Sequence, residues 1–112
     1  MLISDETQEK LNLLIQRFFQ HNRSWDNFLG YSNVEWAFNH FNEVFHHGLA
    51  HLYPLLADVV ADIELRYNVV PKYYETKRDT RVYGSMLEFF NININEHTET
   101  YELIKSAIDT AT

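Results

Sequence analysis

Between positions 40 and 62 the chain gathers the residue types that hold transition-metal ions: His40, Glu43, His47, His51, Asp58 and Asp62. Imidazole and carboxylate together form the donor set expected for iron, manganese or zinc. His47 and His51 stand four residues apart, so on a helix their rings reach the same ion. At about 100° per residue the six side chains span an arc of roughly 100°. That arc borders the apolar stripe of the same segment, where one helix meets another. Glu43, His47, His51, Asp58 and Asp62 are therefore the candidate ligands, with iron the first ion considered and zinc or manganese as alternatives. His46 lies off the arc and is expected at the surface. The competing reading is a solvated flank, since every amphipathic helix carries polar residues beside its core. The chain would then be a helical structural or interaction subunit without metal chemistry.

Other chemistries lack their residues. The sequence has no cysteine, which excludes disulfides, thiolate metal sites and a thiol nucleophile. It has no Gly-x-Ser-x-Gly elbow, phosphate-binding glycine loop or dinucleotide fingerprint. A net charge of −7 opposes nucleic-acid binding, which needs a basic surface to displace counterions. The first residues do not form a secretory leader, and no apolar run is long enough to span a membrane. A cytoplasmic location is the expectation that fits these features.

The elements that must position the candidate ligands are helices. Hydrophobic residues make up 46% of the 112 positions, enough to build a core, and only three glycines and two prolines interrupt the pattern. One domain over residues 1–112 is expected. A first helix begins after Ser4-Asp5-Glu6-Thr7, carries the stripe Leu11, Leu14, Ile15, Phe18, Asn22, Trp25 and Leu29, and is predicted to stop at Gly30. Asn22, inside that stripe, needs a hydrogen-bonding partner if it is buried. A second helix is predicted from about Val34 to Tyr67, with a seam of Phe41, Phe45, Leu49, Leu52, Leu56, Val59 and Ile63 and a kink at Pro54. A polar, aromatic connector follows Pro71. A third helix is predicted from near Thr80 to about Ala107, with Met86, Phe90, Ile94, His97, Tyr101, Ile104 and Ile108 inward. His97 in that seam reads as a core histidine with both ring nitrogens bonded, or else as a ligand facing the second helix.

Three amphipathic helices of unequal length imply an all-α bundle with apolar surface left over. Phe19, Phe28 and Phe89, off the three seams, are expected to add to it. A second copy, or a fourth helix outside this sequence, would cover that surface. A homo-oligomer is the expected state.

Two stretches resemble a known family. His21-Asn22-Arg23-Ser24-Trp25-Asp26 is similar to the end of the first helix in Dps-type miniferritins, which carry Thr-His-Asn-x-His-Trp-Asn. The run from Phe45 to Pro71, with Asp58-x-x-x-Asp62, resembles their second helix with its Asp-x-x-x-Glu. The resemblance covers about two-thirds of the chain. It implies a ferritin-like bundle in which carboxylates and imidazoles hold ferrous iron at a subunit interface while an oxidant takes its electrons. The oxidised iron is then stored in a protein shell. The departures are specific. The family's histidine before the Trp falls on Ser24, and its second-helix histidine falls near Glu43. The lysine-rich DNA-binding tail and the fourth helix have no counterpart, and the connector is shorter than the family's crossover. The Glu-x-x-His pair of ferritin-like bundles is met once, by Glu43-x-x-His46.

Overall fold

A computed structural model describes residues 3–111, and it is all-helical, with no strand among the described residues. Helix α1 spans Asp5–Glu35. Ser4 caps it by accepting the Thr7 N–H at 3.1 Å, and Asp5 and Glu6 sit favourably at its positive end. Gly30 does not stop it. A glycine costs an exposed helix only about 1 kcal/mol, and the buried Phe28, Leu29 and Ser32 around it hold the helical path. The stop comes at Trp36 and Ala37, where the Ser32 carbonyl accepts both the Trp36 and Phe38 N–H groups and Ala37 takes a positive φ of 56°.

The expected second helix is three pieces: α2 (Asn39–Phe45), a π-turn (His46–Ala50) and α3 (Leu52–Arg66). Together they run back along α1. Asn68, at φ 59°, turns the chain at the far end. Residues 69–85 then form an extended strap parallel to α1. The expected helix start at Thr80 falls within this strap. The strap's backbone polar groups are met by α1 side chains: Asn12 accepts from Lys72, Gln16 donates to Glu75, Gln20 pairs with Lys77, and Tyr31 donates to Tyr83. Those bonds hold 72–83 extended and delay the last helix, α4, to Met86–Ala111. It lies antiparallel to α1, with Thr7 bonded to Thr110, Arg17 to Glu99 and Phe28 stacked on Phe89.

Two cores share the long axis. At one end Leu11, Leu14 and Ile15 of α1 pack on Ala57, Val60 and Ala61 of α3 and Ala107 of α4. The small alanines let the backbones approach. At the other end Trp25, Phe28, Leu29, Tyr53, Tyr83 and Phe89 form an aromatic core. Phe28 and Phe89, expected at the surface, are buried with ring centroids 3.7 Å apart, because Tyr83 of the strap closes over them.

The α4 seam is inward only in part: Met86, Phe90 and Ile104 pack against the two cores and His97 bonds Tyr53. Phe89, Thr100 and Ala107 face inward, while Ile94, Tyr101 and Ile108 are exposed. On α3, Leu52, Leu55, Val59 and Ile63 are likewise exposed. No Cα of α3 comes within 8 Å of one in α4. The two helices flank an apolar groove of about 620 Å³ floored by α1. No helix is long and apolar enough to cross a membrane among the described residues.

Candidate metal centre

The histidines sit where the second rod changes winding. Pro54 has no N–H to offer the carbonyl four residues back, that of Ala50. Ala50 is fully buried, so its carbonyl needs another donor. Asn22 of α1 supplies one: its side-chain amide donates to the Ala50 oxygen at 2.8 Å. This is the partner that Asn22 required. Ahead of that carbonyl the backbone widens into a π-turn, with the His51 N–H bonded to the His46 oxygen at 3.3 Å. A wider turn brings position 51 back over position 46, which a regular α-helix would hold well apart.

As a result His46, His47 and His51 form one group, with a ring nitrogen from each lying within 4.8 Å of the others. His46 was expected off the stripe, and the π-turn moves it in. Its Nδ1 lies 3.0 Å from Asp26 Oδ1 of α1. Asn22 and Asp26 stand one helical turn apart on α1, so the π-turn is held at both ends from the same face. With Nδ1 engaged, the free nitrogen of His46 is Nε2. A tetrahedral cation at 2.0–2.1 Å from each nitrogen needs the nitrogens about 3.3 Å apart. His47 and His51 are exposed and free to close that gap by rotamer changes.

Among the predicted ligands, then, the structure brings His47 and His51 together. Glu43 is exposed on α2, before the change of winding. Asp58 and Asp62 are exposed on α3, one turn apart and beyond His51. None of these three joins a group of three donors among the described residues. His40 is exposed as well.

Two further polar clusters and one lone buried glutamate lie elsewhere in the molecule. His97 Nδ1 lies 2.8 Å from the Asn93 carbonyl and must donate to it. Its Nε2 then accepts from the Tyr53 hydroxyl at 2.7 Å. His97 is thus a core histidine with both nitrogens bonded. His21 stacks on it at 4.0 Å between centroids and bonds Thr100 at 2.6 Å. Burial, then the neighbouring His97 and Arg17, push the His21 pKa down to about 3. Three residues beyond His21 on α1, Ser24 accepts from Arg81 of the strap, which also pairs with Asp79 and Glu96 at 2.6 Å each. The position where the resemblance asks for a metal-binding histidine therefore faces a guanidinium. Glu64 of α3 is wholly buried, and neither carboxylate oxygen has a hydrogen-bond partner among the described residues. Burial raises its pKa.

The sequence carried two signals for His46 and Asp26. One was Pro54, whose missing donor disturbs the turn before it. The other was Asn22, a polar residue within the apolar stripe of α1, with Asp26 one helical turn further on. No known family model matches the chain, and no curated protein or solved structure matches it either.

Proposed function

We propose that the chain is a metal-binding subunit of a homo-oligomeric, ferritin-like helical bundle, with the ion held beside a subunit interface. The observation that carries this reading is the His46–His47–His51 group, set at the edge of the uncovered α3 face. The path of the chain also supports it. One long crossover followed by a helix running in the same direction as the one before is the connectivity of ferritin-like bundles.

Self-association explains the exposed stripes. Leu87, Ile94, Tyr101 and Ile108 recur at seven-residue intervals on α4, the spacing of a helix that packs on another helix. Together with Leu52, Leu55, Val59 and Ile63 they offer surface on the order of the 800 Å² that each partner gives a standard interface. An antiparallel approach of α3 to its copy, centred between Pro54 and Leu55, sets His51 opposite Asp58 and His47 opposite Asp62. The carboxylates would then complete the coordination, with Glu43 nearby. Iron is the ion the ferritin-like form of this reading implies, and oxidation of ferrous iron is its reaction. A cytoplasmic location goes with it.

The exposed stripes also favour a second reading, a helical interaction subunit that binds no metal. Light scattering and metal analysis after anaerobic addition of ferrous iron separate the two. The metal reading expects an oligomeric mass and bound iron that falls sharply in His47→Ala/His51→Ala and in Asp58→Asn/Asp62→Asn. An oligomer whose iron content is unchanged in both variants leaves the interaction reading. A monomer across a wide concentration range refutes self-association.

A further inference from the structure

Within one chain the ligand group is unlike a carboxylate-rich iron site. It consists of three imidazoles and no carboxylate, and two of its members are exposed. Neutral nitrogen donors favour late first-row divalent cations over magnesium, calcium or manganese. Three histidines with a fourth position open to water is also a coordination set that zinc accepts.

One of the three histidines is held from outside the group. Asp26 Oδ1 lies 3.0 Å from His46 Nδ1, in a pair where each side chain is about 40% exposed. A ligating histidine usually donates its other N–H to a carboxylate, which fixes the tautomer, aims the free nitrogen and makes it more basic. Histidine clusters that bind metal only because the rings are crowded have no such requirement. Here the carboxylate comes from a different helix, twenty residues earlier, and Asn22 fixes the far end of the same turn one helical step away.

We infer that His46, His47 and His51 form a tri-imidazole site for a zinc-class divalent cation, with His46 bound through Nε2 and Asp26 acting as its positioning residue. This rests on the metal-binding reading above and names both the ion class and the carboxylate that tunes it. A bare pair of neighbouring histidines would not depend on Asp26, whereas this site does.

The test is a competition titration of the chelator-stripped, full-length protein with zinc chloride, repeated with nickel, magnesium and anaerobic ferrous salts. His46→Ala and Asp26→Ala are compared with the wild type. The expected result is one zinc per chain, zinc and nickel far ahead of magnesium, and affinity reduced about 10–100-fold in Asp26→Ala. Long-range nitrogen–proton NMR gives a readout that lost stability alone would not move. In the wild type without metal, His46 carries its proton on Nδ1, and zinc shifts Nε2. In Asp26→Ala the apo ring loses its tautomer preference while the helical circular dichroism is retained. Zinc binding that needs His47 and His51 but is unchanged in both variants overturns the inference and leaves the metal-binding reading standing. A wild type that takes up iron but no zinc overturns the inference in the same way. A wild type that binds none of the ions overturns both.

Discussion

Asn22 and Pro54 form a coupled pair that no direct contact between them would reveal. Truncating Asn22 to Ala removes the only side-chain donor on the Ala50 carbonyl among the described residues. Because Ala50 is fully buried, water does not replace that donor without opening the turn. Leaving a buried acceptor unsatisfied costs about 1–3 kcal/mol. For a chain of this size each kcal/mol lowers the melting temperature by about 4 °C, so a drop on the order of 4–12 °C is expected. Pro54→Ala gives position 54 an N–H that reaches the same carbonyl as an ordinary helical bond. Alone it changes little, since a redundant donor is set against the roughly 0.4–1 kcal/mol of chain entropy that proline had removed. In the Asn22→Ala/Pro54→Ala double variant the new N–H takes over, and most of the loss is recovered. Urea unfolding of the four proteins, with matched m-values, gives a coupling on the order of 1 kcal/mol or more. Additivity within about 0.5 kcal/mol would refute the reasoning. The same Pro54→Ala change favours a regular helix through 46–54. It is expected to draw His46 away from His47 and His51, so metal affinity should fall although no ligand is altered.

Other expectations follow from the buried groups and the long helix. The unfolded chain takes a proton on His21 near pH 6.5, while the folded chain does not until about pH 3, so stability falls as pH drops through that window by about 1.4 kcal/mol per unit. His21→Gln keeps a donor for Thr100 and should flatten the wild-type slope between pH 6.5 and 4.5 by about one proton; equal slopes in denaturant titrations would contradict the burial of that ring. Glu64 has the opposite sign: its raised pKa means the fold prefers the neutral acid and loses stability as pH rises above the ordinary carboxylate range. Glu64→Gln should therefore melt higher than wild type at pH 7, with the advantage shrinking toward pH 4. Gly30 has open space where a Cβ would stand and no positive φ, so Gly30→Ala should stabilise the protein by about 0.5–1 kcal/mol in urea unfolding.

The sequence made the helical class and the α1 stripe readable because α1 is long and regular. Leu11, Leu14, Ile15, Trp25 and Leu29 all fall in the core as their period requires. The second rod was harder to read. Its seam keeps a helical period across Gly48 and Pro54, but the π-turn changes the phase, so the inward residues of α3 are Tyr53, Ala57, Val60, Ala61 and Glu64. Nothing in periodicity marks a buried glutamate. On α4 the expected seam of Met86, Phe90, Ile94, His97, Tyr101, Ile104 and Ile108 is divided: Met86, Phe90, His97 and Ile104 keep inward contacts, and the other three are exposed. The stacked Phe28–Phe89 pair sets the helix so that the Ile94, Tyr101 and Ile108 edge of that seam points out. Of the proposed ligands, His47 and His51 were legible from spacing alone. His46 was not, because its place depends on a carbonyl whose donor stands twenty-eight residues earlier in the chain.

The strap has a consequence for the order in which the molecule assembles. A bundle whose successive helices are joined by short turns gains its contacts between sequence neighbours. Here α4 meets α1 across a connector that runs along the first helix, and the Thr7–Thr110 bond joins residues 103 positions apart. Closing so wide a loop has an entropic cost that later contacts must repay, and chains rich in such distant contacts fold more slowly. α1 and α3 pack without waiting for the strap, and they should acquire hydrogen-exchange protection first. The strap amides and α4 should follow together, since the strap leans on side chains and has no strand partner among the described residues. In refolding, the exposed α3 face that follows the histidines would then exist before the far wall of the groove does. An early ion or an early second copy would meet a half-built bundle and act on the rate at which it closes.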